Sequence, residues 1–195
     1  MKRTLILFAV LTMIVMPAVA MKSSLDMGVN ISYNAATEVI DHDSPATFSL
    51  DRVAIGLEMR ANLSNFQVAV AGDISVIDNR SLLFAGIFTM GFSVEMFKYI
   101  KLGLTTGPRV TYLTTSGNSG DGSLNDNSFF DALWNGKFHH RIMLDVLAGP
   151  VMKIGLSYTI ATGFSLAEHD FSEIIPHRSD LKEGQIALCI QMKVI

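Results

Sequence analysis

The chain has one cysteine, Cys189, among 195 residues, so no intramolecular disulfide framework holds it together. Beyond residue 20 it has no apolar run of about 18 or more residues, which excludes a bundle of membrane-spanning helices. It also lacks a basic stripe; the formal charge is −3, and nucleic acid is not an expected partner. No internal repeat or low-complexity tract is visible. Asp121, Asp126 and Asp131 do not have the spacing of an EF-hand loop, and neither a metal nor a cofactor is expected. Charge is sparse, with 17% Asp, Glu, Lys and Arg against 49% hydrophobic residues, and mean hydropathy is +0.37. This apolar content must therefore be distributed in short pieces.

The first piece is N-terminal. Lys2 and Arg3 precede an apolar segment from Leu5 to Met16, and Ala18-Val19-Ala20 follows with small residues at a cleavage spacing. This reads as a secretory signal peptide over 1–20, removed after Ala20. Its loss takes away two cations and no anion, so the formal charge of −3 becomes −5 over 21–195. An exported chain without paired cysteines needs some other source of rigidity.

That source is periodicity. In "LDMGVNISY", residues 25–33, Leu25, Met27, Val29, Ile31 and Tyr33 alternate with Asp26, Gly28, Asn30 and Ser32. Period two is the pattern of an extended strand with two unlike faces. The same alternation predicts strands over about 25–33, 50–63, 66–77, 82–97, 100–114, 137–148, 151–165 and 185–195. Most meet or exceed the roughly 9–11 residues that a tilted strand needs to cross a bilayer. Tight turns near Ser64-Asn65, Lys98 and Gly149-Pro150 join one set of ends, while mostly longer segments, 34–48, 78–81, 115–136 and 166–184, join the other. Short turns on one side and longer loops on the other belong to an up-and-down outer-membrane barrel. The expected fold is all-β: one eight-stranded antiparallel transmembrane β-barrel over 21–195, with both termini on the short-turn, periplasmic side.

The rival is a soluble periplasmic barrel of lipocalin type, with its apolar face inside around a ligand. The makeup of the two faces separates them. The polar face carries many small residues, among them Ala54, Gly56, Ala69, Ala71, Gly103, Gly107, Gly155 and Ala187, which suits the narrow interior of eight strands. The other face is bulky and almost uncharged, and would overfill such a lumen. Tyr33, Phe84, Tyr112, Phe138 and Phe164 fall on that face near the loop end, where an aromatic girdle meets the membrane–water boundary. The apolar face is therefore expected to look into lipid.

In these features the chain resembles the small eight-stranded outer-membrane barrels of the OmpA, OmpX and OmpW type. The resemblance covers nearly all of 25–195 and is one of architecture, without a diagnostic motif. One departure concerns the end of the chain. Such proteins commonly finish on an aromatic residue as an assembly signal, whereas this one ends "CIQMKVI", with Ile195 on the polar-face register. The resemblance implies an outer-membrane location and a structural or recognition role. The OmpW-type likeness implies as an alternative a narrow porin-like channel for small or hydrophobic solutes.

The inferred lumen holds Arg52, Glu58, Arg60, Asp73, Glu95, Lys101, Arg109, His139, Arg141, Asp145 and Lys153, with Asp26, Lys137 and Lys193 on the same face. Charges of both signs in a confined space are expected to pair and plug it, the alternative being a path lined by the excess cations. No catalytic residue is expected. His140 sits on the apolar face beside the loop rim, where Ile142 stands in place of the serine a lipid-A deacylase would want. The ring tip of His140 is expected to meet head groups. The His42-Asp43-Ser44, His169-Asp170 and His177/Ser179 groupings are of a kind common in polar loops. In "TSGNSGDGSLNDNSFFDALWNG", residues 115–136, Phe129, Phe130 and Trp134 stand out as candidate contact residues, either for the barrel rim or for a host or envelope protein. Cys189 falls on the lumen face as a space-filler.

Overall fold

The computed structural model describes residues 23–34, 50–78, 81–96, 99–115, 134–168, 170–176 and 184–194. The expected leader, Phe129 and Phe130, the histidines at 42, 169 and 177, and Ile195 lie outside these residues, as does the side chain of Tyr112.

The strands are β1 (Ser23–Asn34), β2 (Val53–Leu63), β3 (Phe66–Asp78), β4 (Ser81–Met96), β5 (Ile100–Thr115), β6 (Lys137–Leu147), β7 (Met152–Ser165) and β8 (Gln185–Lys193). A 3-10 turn at Leu50–Arg52 leads into β2, and a second, Phe171–Ile174, lies between β7 and β8. Each strand pairs antiparallel with its sequence neighbours, and β1 pairs with β8 from Asp26↔Lys193 to Asn34↔Gln185, so the sheet closes into a barrel. Closure matters in lipid. An open sheet edge would leave backbone N–H and C=O groups without hydrogen-bond partners in hydrocarbon, which costs several kcal/mol per group.

At the short-turn end the hairpins are tight. Leu63 pairs with Phe66, leaving Ser64 and Asn65 as a two-residue loop, and Ser64 adopts φ 59°. A positive φ at the first loop position matches the right-handed twist of the flanking strands. Gly149, at φ 147°, serves the turn between β6 and β7.

The alternation sorts side chains as the sequence predicts. Leu57 is 69% exposed and Leu104 59%, while Arg60 is 1% exposed and Glu58 2%. The outside is an apolar belt and the inside is polar, the reverse of a soluble globule and of a lipocalin cup. An apolar surface of this extent needs lipid around it. No helix among the described residues is long and apolar enough to cross a membrane; the strands do so.

Aromatic residues flank both ends of the belt. Phe84 is exposed on the outer wall, and Tyr33 and Phe138 are half-buried near the loop end. At the short-turn end Phe66 and Phe92 meet edge to face at 5.9 Å, and Tyr99 is exposed nearby. Phe164 departs from expectation. It is 5% exposed, because Phe171 stacks on it at 5.2 Å and Phe138 meets it edge-on at 5.0 Å. A loop covers this part of the rim instead of lipid.

Candidate functional site

The polar lumen gathers side chains from opposite walls. β2 and β6 stand four strands apart, so in a ring of eight they face each other across the diameter. From β2, Arg60 donates through Nε to Glu58 Oε1 at 2.5 Å and through Nη1 to both Asp145 oxygens of β6 at 2.8 Å. From β6, Arg141 returns a two-pronged contact to Glu58 at 2.7 and 2.8 Å, with a further bond to Ser157 Oγ at 3.0 Å. Glu58 thus serves two guanidiniums; the planar fork of Arg141 and the single Nη1 of Arg60 tie the walls together. Charge-assisted pairs of this geometry are roughly twice as strong as neutral hydrogen bonds. Local backbone makes the room: Gly155 pairs with Asp145 across β6 and β7, and a Cβ at 155 would collide with Asp145 Oδ1.

Toward the short turns a second cluster forms around Asn62. Its Nδ2 donates to Asp26 Oδ2 at 2.5 Å and Ser24 Oγ at 3.1 Å, and its Oδ1 accepts from Gln67 Nε2 at 3.0 Å and from Lys101 Nζ. Lys153 closes the group by donating to Asp26 Oδ2 at 2.6 Å. Toward the loops, Gln185 Nε2 bridges Ser32 Oγ at 2.6 Å and Asp73 Oδ2 at 3.1 Å, joining β8, β1 and β3. Arg109 and His139 are half-buried there, with Arg109 within electrostatic reach of both Asp73 and His139.

Arg52, Glu58, Arg60, Asp73, Lys101, Arg141, Asp145 and Lys153 are all buried in the barrel, as is Asp26. Glu95 is not among them. It shares the inward register, opposite Lys101, but lies so near the last residues of β4 that water reaches it. Lys137 and Lys193, near strand ends, are exposed for the same reason, and Trp134 is half-buried. Sequence reasoning passed over the neutral amides. Asn62, Gln67 and Gln185 stand on the polar face of the alternation, which was the available signal; Asn62 links Lys101 to Asp26, Gln67 donates to Asn62, and Gln185 ties Asp73 to Ser32. It also passed over Met143, which is 1% exposed and fills inward-facing space beside Gly103. Cys189 is buried with a free thiol.

His140 is held by a connecting segment. It shares the outward register of Ile142 and Leu144, and its ring is half-buried. Its Nε2 donates to the backbone carbonyl of Ile174 at 2.6 Å, and a carbonyl only accepts, so the proton sits on Nε2. Among the described residues no group of three or more His, Cys, Asp or Glu comes together as a metal would require.

No protein-family model matches the chain, and no curated protein matches it in sequence. Among solved structures, the crystal structure of Ail, the attachment invasion locus protein of Yersinia pestis, is similar at 12% identity and a TM-score of 0.49, covering 88% of this chain and 95% of that one. The same protein in complex with the heparin analogue sucrose octasulfate gives 14% and 0.48 over the same shares. Its backbone structure in a phospholipid bilayer nanodisc gives 14% and 0.42, covering 86% of this chain and 98% of that one.

Proposed function

We propose that the chain is exported, loses residues 1–20, and resides in the outer membrane as a closed barrel that does not conduct, its loops carrying recognition toward host or envelope proteins. The observation that supports a sealed lumen is the burial of the diameter-spanning group. Glu58, Arg60, Arg141 and Asp145 are each 4% exposed or less, and a side chain lining a water-wide passage would show more surface on its lumen side. Eight strands enclose an interior that side chains just fill, and here paired charges fill it. An isolated charge in that position would be expensive, whereas Glu58 and Arg141, at 2.7 Å, and Arg60 and Asp145, at 2.8 Å, each have an opposite charge beside them. With the lumen occupied, surface chemistry is left to the segments beyond the loop-end rim, including the one that holds Phe129 and Phe130 and leads to Trp134.

The test is single-channel recording of the refolded mature chain in a planar bilayer, with insertion confirmed by protease protection of the barrel. A silent, inserted protein is the expected result. Discrete and reproducible conductance steps would overturn the sealed barrel in favour of the narrow channel, with Arg52 and Arg109 as the first residues to substitute.

A further inference from the structure

The segment between β7 and β8 does not simply project away from the barrel. Residues 170–176 turn back onto the outer wall, and three contacts hold them there. His140, on the outward register of β6, donates to the Ile174 carbonyl at 2.6 Å. Phe171 stacks on Phe164 of β7 at 5.2 Å with 28° between the rings. Glu173 lies over Gly163, where a Cβ would collide with the Glu173 carboxylate. Beneath this strap Ile160 and Phe164, 6% and 5% exposed, are sheltered although they belong to the strand wall.

The strap exposes two large apolar side chains beside its polar ones. Phe171 remains 70% exposed and Ile175 73%. Directly below, Ile142, Leu144 and Val146 continue down β6 as part of the belt that faces lipid. The strap is therefore continuous with the membrane-contacting surface, at its loop-end margin. Asp170 and Glu173 on the same short turn are exposed, and charges of this kind keep a segment at the head-group level while its apolar residues enter the acyl boundary. We propose that residues 170–176 form an interfacial anchor, with Phe171 and Ile175 inserted at the outer boundary of the hydrocarbon. This segment then binds lipid and is not one of the surfaces offered to a protein partner. The inference rests on the membrane-barrel reading and adds a lipid contact that register alone does not provide.

Fluorescence quenching in vesicles tests it with the full mature chain. Trp134 is the sole tryptophan, so a Trp134→Phe background allows Phe171→Trp to report on the strap and Leu57→Trp on the belt. In phosphatidylcholine vesicles, Phe171→Trp is expected to be strongly quenched by lipids brominated near the head-group end of the acyl chain and shielded from aqueous iodide. Should iodide quench it freely and brominated lipid leave it bright, while Leu57→Trp is still quenched by lipid, the anchor is wrong and the barrel stands. If neither is quenched by lipid, the membrane reading itself fails and the anchor with it. Ile175→Trp gives the same readout should the first substitution disturb folding.

Discussion

Glu58 and His140 are both polar side chains in surroundings that penalise them, one inside the barrel and one on its outer wall. Glu58 is satisfied by the scaffold. Its partners Arg60 and Arg141 come from β2 and β6, aimed inward by the same strand alternation that buries it. His140 is satisfied by a visitor, the carbonyl of Ile174, carried back from a loop onto a wall otherwise made for lipid. The comparison shows two levels of control. Inside, strand register alone brings partners together, because facing strands converge on a narrow axis. Outside, neighbouring side chains diverge, and a polar group finds a partner only if a connecting segment returns to it.

Breaking the inner arrangement should have the larger effect. Glu58→Ala leaves two buried guanidiniums short of their shared carboxylate, and removing one member of a buried ion pair typically costs about 3–5 kcal/mol. Urea unfolding of the refolded barrel should show the midpoint fall with the slope unchanged. A midpoint within error of the parent would mean that the two guanidiniums find adequate partners without Glu58. At the outer site, His140→Ala removes one hydrogen bond, worth about 1 kcal/mol, and its consequence should be local. Limited proteolysis is expected to cut faster within 170–176 while the barrel core stays protected; an unchanged cleavage rate would show that the Phe171–Phe164 stack holds the strap unaided.

The smallest effect concerns the strap's own N-terminus. Asp170 accepts from the Ser172 hydroxyl at 2.7 Å and the Ser172 backbone N–H at 3.0 Å, which holds its carboxyl below the ordinary value of 3.8. Because the folded value is the lower one, this contribution is complete above 3.8 and fades as pH falls through the folded value. Acidification below about pH 4 should therefore loosen the Ser172 amide, near the carboxylate range, as NMR amide shifts in detergent would register. A Ser172 amide that does not move across that range would remove Asp170 as the cap.

The interior was legible well beyond the fold class. Arg60 and Arg141 fall on the polar face of their strands simply by counting in twos, and once the chain is arranged as eight antiparallel strands that face has only one narrow space to occupy. Which charge meets which was not legible, because pairing across the diameter depends on the stagger of β2 against β6, and no local pattern encodes it. Counting in twos also cannot say where a strand stops being covered. Glu95 and Arg60 look alike in sequence, yet one lies near the end of β4 in water and the other at the centre.

Period two and the unlike makeup of the two strand faces were enough to determine a closed barrel with an apolar outside and charge inside, since each is a local property that repeats along the chain. The positions of Phe164 and His140 were decided only by tertiary structure. Both sit on the correct face for lipid, and both are covered by a connecting segment whose path follows from long-range contacts: the Phe171 ring on Phe164 and the Ile174 carbonyl at His140. A strand's faces are set by neighbouring residues, but what covers a face is set by whichever distant segment gains most by packing there.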